Sequence, residues 1–235
     1  MLIIAEIGLN HNGDMHLAQC MIDEARAAGA DIVKFQIFDP SKLFPQDFEW
    51  MDYHIRVRLS FEQVKLLRNY CDHVGIEFCA SVFDLEGLEW CDTLDVRRLK
   101  VASRSIYDSA LIGAMSETGK DMIVSLGMWD GPSFPEISTA GRVDFLYCVA
   151  KYPTPLSDIN FSRVDFSKYG GFSDHTEGID AAAVAIARGA RIIEKHFTLS
   201  KMMDGPDHIC SVEPHELRQL VDISRRYSKC LHAAE

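Results

Sequence analysis

Charged and hydroxyl side chains recur along this chain of 235 residues at the ends of short apolar runs. Such groups are costly inside apolar segments unless they are paired or bind something. Lysines, serines and histidines are the side chains that hold phosphates, carboxylates and metal ions. The candidates are Glu6, Lys34, Gln36, Ser81, Lys100, Ser103, Ser125, Ser173, His175, Glu194 and His196. This set predicts a site for a phosphorylated anion beside a metal.

The apolar runs that carry these residues alternate with helical patterns, which is typical of parallel βα units. The predicted strands are residues 2–6, 32–36, 77–81, 99–102, 122–125, 144–148, 171–173 and 192–196. Eight strands in regular alternation favour a closed (β/α)8 TIM barrel over an open, doubly wound sheet. No G-x-G-x-x-G pattern follows the first strand, which disfavours a dinucleotide-binding site. In such a barrel, chemistry lies at the C-terminal ends of the strands, where the candidates fall.

Helix signals separate the strands. Asp14 is a predicted N-cap and Gly29 the stop of the first helix, while Ser60 and Gln63 form a capping box that opens another helix, ended by Gly75. The segments after strands five and six leave room for shortened helices only; they are residues 128–141 and 157–169. With no linker or low-complexity tract, residues 1–235 are predicted to form a single domain.

Each candidate also has an ordinary structural interpretation. A lysine at a strand end is often an ion-pair partner, and a histidine after a strand is usually a hydrogen-bonded loop residue. We interpret His54, His73 and His232 in that second way. We expect the acidic stretch 39–52 to be a solvated loop rather than a carboxylate site.

Composition narrows the class of partner. The formal net charge is −11, from 24 basic and 35 acidic residues. Such a surface repels nucleic acid and anionic lipid, so we expect neither as a partner. The seven cysteines include no C-x-x-C pair, which predicts reduced, mostly buried thiols. No apolar run is long enough to span a bilayer and the N-terminus lacks a basic signal region, so we expect a cytosolic protein.

Six segments, taken together, resemble the N-acetylneuraminate (sialic acid) synthase family. They are IAEIGLNHNG at 4–13, VKFQ at 33–36, YPTP at 152–155, FSDHT at 172–176, EKHFT at 194–198 and GPD at 205–207. The resemblance implies a metal-dependent barrel that condenses phosphoenolpyruvate with an N-acylated hexosamine aldehyde, giving a nonulosonic acid and phosphate. Members of the family usually carry a C-terminal antifreeze-like domain. The resemblance seen here does not include that domain. Barrels of this kind often dimerise, so a homodimer is a further expectation.

The resemblance also implies roles for individual residues. His175 and His196 resemble metal ligands, usually for Mn²⁺, with Mg²⁺ or Co²⁺ as alternatives. Six residues match positions that hold the phosphate and carboxylate of phosphoenolpyruvate: Lys34, Ser81, Lys100, Ser103, Ser125 and Ser173. Four match positions near the reacting carbons and the sugar: Glu6, Gln36, Tyr152 and Asp207. Carbon C3 of phosphoenolpyruvate would attack the aldehyde, water would add at C2 with Glu6 as a base, and phosphate would leave.

The departures from the family pattern lie on the acceptor side. Arg104-Ser105 stands where the family has Gly-Glu, and Ala150 stands where it usually has asparagine. An acceptor-contacting asparagine expected after strand two has no counterpart. We therefore expect a changed acceptor, with Arg104 as a positive contact for an anionic one.

Three alternatives remain open from the sequence. The chain is a synthase that needs a partner subunit, or a non-catalytic barrel that binds metal and phosphoenolpyruvate. The third alternative is an aldolase that uses Lys34 or Lys100 as a Schiff base.

Overall fold

Eight parallel strands form the centre of the molecule. The computed structural model describes residues 1–231, so His232 and the rest of 232–235 lie outside it. The strands pair in chain order, and β1 also pairs with β8, which closes the barrel. They are β1 (Leu2–Gly8), β2 (Ile32–Ile37), β3 (Glu77–Val82), β4 (Arg98–Val101), β5 (Asp121–Ser125), β6 (Val143–Cys148), β7 (Gly171–Asp174) and β8 (Ile192–His196). This confirms the predicted (β/α)8 barrel; the single domain over 1–235 stays a prediction.

The α-helices lie around the strands. They are α1 (Met15–Ala28), α2 (Pro40–Leu43), α3 (Met51–Val57), α4 (Phe61–Val74), α5 (Leu85–Thr93), α6 (Ser109–Glu117), α7 (Asp180–Ala187) and α8 (Pro214–Leu231). Asp14 caps α1 by accepting bonds from two backbone N–H groups, and Gly29 ends it with φ of 95°. The capping box predicted before α4 is present with both of its hydrogen bonds.

The barrel differs from the expected pattern in two segments. The loop predicted at 39–52 contains α2 and the start of α3. The segment after β5 is shortened further than expected, because residues 126–142 contain no helix. Between β6 and β7 only two 3-10 turns form, Leu156–Asp158 and Phe161–Arg163.

Aromatic rings occupy the space that the missing helices leave beside β6. Phe134 lies 5.0 Å from Phe145 and 4.7 Å from Tyr169, measured between ring centroids. Tyr147 lies 5.8 Å from Phe161. Large rings bury much apolar area per residue, so a few of them can cover the barrel where a helix would normally pack.

The barrel interior is apolar at its N-terminal end. One residue from each of six strands forms a compact buried cluster there: Ile4, Ile32, Cys79, Ile123, Leu146 and Ile192. The C-terminal half of the interior is therefore the part left for polar groups. Within residues 1–231, no helix is long and apolar enough to cross a membrane, and all seven cysteines are free thiols.

Candidate active site

Strand alternation builds the polar site directly above the apolar cluster. Side chains two residues apart on a strand point the same way, so the residue two places after each cluster member also faces the barrel interior. Those residues are Glu6, Lys34, Ser81, Ser125, Cys148 and Glu194. All six are buried. The floor of the site is thus set by local strand geometry, one layer above a packed core.

Eleven of the twelve site residues predicted from the sequence line one small cavity of about 50 Å³ at this level. The eleven are Glu6, Lys34, Gln36, Ser81, Lys100, Ser103, Ser125, Tyr152, Ser173, His175 and His196. The twelfth, Asp207, lines a wider cavity of about 570 Å³ outside it. Gln36, Ser103, Tyr152 and His196 line both, so the inner cavity opens into the outer one.

Lys34 carries a charge deep inside the barrel. Its Nζ lies 2.9 Å from Glu6 Oε2 and 3.5 Å from Glu194 Oε2, and it donates a hydrogen bond of 2.9 Å to Ser81 Oγ. Burial alone would lower the pKa of Lys34, but the two carboxylates raise it above its usual value. The ammonium group therefore stays protonated at neutral pH and can face an anion.

Lys100 is the second buried ammonium group of the inner cavity. Its Nζ donates to Ser125 Oγ at 2.7 Å and to the carbonyl of Val101 at 2.8 Å, and it lies 3.9 Å from Glu194 Oε1. Burial lowers the pKa of Lys100, and Glu194 opposes that shift. The two lysines thus share one carboxylate between them.

Glu194 was not among the residues assigned a role from the sequence. Its Oε1 accepts a 2.8 Å hydrogen bond from Ser173. Burial would raise the pKa of Glu194, but Lys100 and Lys34 lower it to about 2, so the group is ionised. The signal that could have assigned it to the site is spacing: Glu194 precedes His196 by two residues on β8 and must face the same side.

Glu6 differs from Glu194 in the direction of its pKa shift. Burial raises the pKa of Glu6, and the nearby Glu194 adds to that rise against the opposing effect of Lys34. Its Oε1 accepts a hydrogen bond of 3.0 Å from Gln36 Nε2. A carboxyl group with a raised pKa can take or release a proton nearer neutral pH, which suits acid–base chemistry.

The two histidines face each other across the cavity. Their ring centroids are 5.5 Å apart. Burial lowers the pKa of His175 to about 4, and burial together with His175 lowers that of His196 well below its usual value. Both rings are therefore neutral and carry a free lone pair. His175 Nδ1 donates to the carbonyl of Val149 at 2.9 Å, which leaves Nε2 as the acceptor.

This pair fits a divalent metal ion. His196 Nδ1 is buried without a hydrogen-bond partner and lies 3.9 Å from Asp207 Oδ2. Neutral imidazoles with oriented, unengaged nitrogens are the donors that borderline transition metals take. Across the described residues, no cluster of three or more histidine, cysteine or acidic side chains could hold a metal. Two protein ligands would leave the remaining positions to water and substrate.

Tyr152 and Asp207 stand where the two cavities meet. The Tyr152 ring lies 4.0 Å from that of His175. Burial, together with Glu6, raises the pKa of Asp207 to about 7. Asp207 is held by its own loop, since Ser211 Oγ donates to its carbonyl at 2.7 Å.

Ser103 is positioned by a close backbone approach. Its Oγ accepts a hydrogen bond of 3.1 Å from the N–H of Gly127. A Cβ atom at Gly127 would lie 2.9 Å from both Ser103 Oγ and Cys148 Sγ. Glycine is needed there because any side chain would push Ser103 out of place.

The lysine beside Glu194 on β8 forms a buried ion pair outside the inner cavity. Lys195 points away from the cavity and pairs at 3.2 Å with Asp174, both fully buried. Lys195 also donates to the carbonyl of Thr176. Lys195 therefore fits the ordinary interpretation of a strand-end lysine as an ion-pair partner, although its neighbours on β8 line the site.

The outer cavity has walls that the sequence did not indicate. The acidic side chains Asp47, Glu49 and Asp52 of the stretch 39–52 are exposed, as expected. The stretch is not only a solvated loop, however, because Leu43, Phe44, Phe48 and Trp50 from it line this cavity. His54, read as a hydrogen-bonded loop residue, lies in α3, lines the same cavity and bonds through Nδ1 to the carbonyl of Trp50 at 2.8 Å. The hydrogen bond of His54 agrees with the expectation, but its position in a helix does not. Arg104 also lines this cavity.

The chain is similar to known proteins along most of its length. Residues 21–235 match the NeuB family. The chain is 32% identical to the N,N'-diacetyllegionaminic acid synthase of Legionella pneumophila, over 99% of this chain and 74% of that protein. It is 31% identical to the human N-acetylneuraminate-9-phosphate synthase, over 97% of this chain and 70% of that one.

A solved structure shows the same architecture. The N-acetylneuraminic acid (sialic acid) synthetase of Leptospira borgpetersenii, solved in complex with citrate, superposes with a TM-score of 0.92 at 35% identity. The match covers 99% of this chain and 86% of that one. A family match over most of the chain and relatives that agree along its length confirm the resemblance drawn from the six motifs. The chain belongs to the NeuB family and is a sialic acid synthase-like enzyme.

Proposed function

We propose that this enzyme condenses phosphoenolpyruvate with the aldehyde of an aldose, of the N-acyl hexosamine type or related to it, in a reaction that needs a divalent metal. The products are a 3-deoxy-2-keto sugar acid of the nonulosonic kind and phosphate. One observation carries the proposal: two buried lysines and four serines converge on one small cavity beside two neutral histidines. Relatives that are nonulosonic acid synthases support the same reaction class.

The inner cavity suits the donor, because its groups complement a compact anion. Lys34 and Lys100 supply positive charge, and the hydroxyls of the serines supply further donors. Charge-assisted hydrogen bonds of this kind are the strong ones for phosphate and carboxylate. The ligands assigned to phosphoenolpyruvate are Lys34, Ser81, Lys100, Ser103, Ser125 and Ser173. The ionised Glu194 keeps both lysines in place between turnovers.

The chain's own residues then orient the reaction. His175 and His196 would hold the metal, which supplies Lewis-acid polarisation of an aldehyde oxygen when bound. Tyr152, Gln36 and Asp207, at the mouth of the inner cavity, would position the acceptor aldehyde against C3 of phosphoenolpyruvate. Orientation of two bound substrates can contribute several kcal/mol to the rate.

Glu6 is the proposed base. A new C–C bond forms between C3 of phosphoenolpyruvate and the aldehyde carbon as the π bond of the aldehyde C=O breaks. This leaves a cationic centre at C2 and an alkoxide, which later receives the proton that Glu6 takes from water. Water adds to C2 as Glu6 takes its proton, the C2–O bond to phosphate breaks, and a keto group forms. The raised pKa of Glu6 suits it to accept and return a proton.

The Schiff-base alternative has less support from the geometry. Lys34 is held charged by two carboxylates, so it is a poor nucleophile. Lys100 has a lowered pKa but bonds to Ser125 and Val101. Borohydride trapping in the presence of a keto acid would leave an adduct on a lysine if that route operated, and an unmodified mass would remove it.

Phosphate release tests the proposal. The protein is incubated with Mn²⁺ and phosphoenolpyruvate, N-acyl hexosamines and other aldoses are added one at a time, and the phosphate released is measured. We expect aldehyde-dependent release that is lost in His175→Ala and His196→Ala. His73→Ala is the matched control, because His73 is exposed near the end of α4. Tight phosphoenolpyruvate binding without release for any aldehyde would point to a missing partner subunit or to a non-catalytic barrel that only binds. The use of Mn²⁺, a cytosolic location and a homodimer stay predictions.

A further inference from the structure

A buried ion pair joins β7 to β8 beside the two histidines of the inner cavity. Asp174 and Lys195 are partners in the register of these strands, and each immediately precedes one of the histidines, His175 and His196. Both side chains are fully buried, and Lys195 Nζ lies 3.2 Å from Asp174 Oδ2. Neither residue lines the inner cavity. The pair is therefore connected to the site through the backbone of the two histidines.

The ladder between β7 and β8 stops at this pair. Asp174 and Lys195 are its last partners, so His175 comes one residue after the end of the ladder. Lys195 extends the link past that point, because its Nζ also donates to the carbonyl of Thr176. Asp174 Oδ1 in turn accepts a 2.8 Å hydrogen bond from the N–H of Thr176. Lys195 thus contacts the residues on both sides of His175.

His175 is held in another direction by the segment after β6. Its Nδ1 bonds to the carbonyl of Val149 at 2.9 Å, and its carbonyl accepts a 2.8 Å hydrogen bond from the N–H of Thr154. Neither bond relates His175 to β8. Nδ1 of His196 has no hydrogen-bond partner. The separation of the two rings, 5.5 Å between centroids, therefore depends on how firmly residues 174–176 are joined to β8.

Stability alone is a poor explanation for a pair of this kind. Removing two charges from water costs free energy that their mutual attraction often does not exceed, and apolar residues of similar volume are frequently as stable. The best-attested use of buried polar groups is to fix one register or arrangement of the chain. Beside Lys195, the arrangement that is fixed is that of the two histidines.

We propose that Lys195 and Asp174 are positioning residues, which set the separation of His175 and His196 to the one that a single divalent metal ion requires. They act through the backbone and touch neither metal nor substrate. Groups that hold metal ligands in place typically contribute about 10- to 100-fold to metal affinity. This inference rests on the metal site of the proposed function and adds two residues to it.

Two variants separate positioning from stability. Lys195→Met keeps the apolar stem of the side chain but leaves Asp174 buried without a cation, so the variant should unfold at a lower urea concentration. Asp174→Asn combined with Lys195→Met removes both charges, and the amide oxygen of asparagine can still accept from the N–H of Thr176. The double variant should therefore recover stability without restoring the link from β8 to the carbonyl of Thr176.

Binding of Mn²⁺ alone is the main measurement. Electron paramagnetic resonance of the free ion gives the dissociation constant without any turnover. We expect binding about tenfold weaker than in the unaltered protein for both variants. Calorimetric titration with phosphoenolpyruvate in the absence of metal should give an unchanged affinity, since Lys34 and Lys100 are not altered.

The pair Arg98 and Glu77 provides the matched control. It also joins two adjacent strands, β3 and β4, and Arg98 donates to Glu77 Oε2 at 3.2 Å. These residues begin their strands, so they lie at the end of the barrel opposite the site. Arg98→Met combined with Glu77→Gln should bind Mn²⁺ as the unaltered protein does, whatever its midpoint of urea unfolding.

Weaker Mn²⁺ binding that persists in the double variant, with stability recovered and the control unaffected, would support the inference. It would be overturned by normal Mn²⁺ affinity in the double variant, by an equal loss in the control, by a parallel loss of phosphoenolpyruvate affinity, or by a double variant as unstable as Lys195→Met. Each of these results leaves the proposed condensation standing. An unaltered protein that does not bind Mn²⁺ would overturn both the inference and the metal requirement of the proposed function.

Discussion

Oε1 of Glu194 lies 3.9 Å from Nζ of Lys100, and the same carboxylate also contacts Lys34. This places one fixed negative charge between the two positive charges of the donor pocket. The carboxylate opposes the effect of burial on Lys100, whose pKa is already lowered. The behaviour of Lys100 should therefore depend on Glu194.

We expect Glu194→Gln to make phosphoenolpyruvate binding sensitive to pH. Without the carboxylate, the pKa of Lys100 falls further, so this lysine loses its proton as pH rises. Affinity for the anion should then weaken by about tenfold or more between pH 7 and pH 9, since one charge-assisted contact is lost. Titration calorimetry at several pH values measures this. An affinity as constant as in the unaltered protein would show that Glu194 does not support Lys100.

Lys34 should be important for stability as well as for binding. Lys34→Met leaves Glu6 and Glu194 buried without their shared cation, so the free energy of unfolding should fall by about 3 kcal/mol. Adding Glu6→Gln removes one of the stranded charges and should recover part of the loss. Urea unfolding of the two variants measures both effects. A double variant no more stable than Lys34→Met would contradict the ion pair seen at 2.9 Å.

Gly127 should matter for the position of Ser103. In Gly127→Ala the new methyl group meets Ser103 Oγ and Cys148 Sγ at 2.9 Å, so one phosphoenolpyruvate ligand shifts. We expect about tenfold weaker binding, as for the loss of one good hydrogen bond. Gly113→Ala is the matched control: it is exposed in α6 with open space around its Cβ position. That variant should bind normally, and equal losses in both would remove the explanation.

The stability of the protein should fall in mild acid because of His11. Burial lowers the pKa of His11 to about 4 in the folded chain, against about 6.5 when unfolded. Between these values the unfolded chain binds a proton that the folded chain excludes, so stability is complete above about pH 6.5 and declines toward pH 4. His11→Asn should reduce the slope by roughly 1 kcal/mol per pH unit. Urea unfolding of both proteins at pH 7, 6 and 5 measures how the free energy of unfolding changes with pH. The same slope in His11→Asn as in the unaltered protein would contradict the prediction and would mean that His11 is protonated when folded.

Local patterns were enough to predict the barrel and the inner cavity. Caps such as Asp14 and Gly29 act within a few residues. Strand alternation places Lys34 and Gln36 on the same side of β2, independently of distant parts of the chain. The positions of eleven predicted residues around one cavity follow from the closure of the barrel, which the count of eight strands already indicated.

The outer cavity could not be predicted in the same way. Phe44 and Phe48 lie between two short helices with no sequence periodicity to read, and their stacking depends on His54 in α3. A shortened helix was expected after β5, but none forms there. Phe134 and its neighbouring rings cover the barrel in its place. Glu194 was a candidate from the sequence but had no assigned role, because that role depends on Lys34 and Lys100, which only the folded barrel brings beside it.

The central claim is that C3 of phosphoenolpyruvate becomes bonded to the acceptor. The direct measurement uses phosphoenolpyruvate labelled with carbon-13 at C3, Mn²⁺ and the aldose that gives the fastest phosphate release, followed by carbon NMR of the product. We predict one new keto acid in which the labelled carbon is a CH₂ group bonded to the former aldehyde carbon, formed one for one with phosphate. Labelled pyruvate and phosphate with no new carbon–carbon bond would contradict the account.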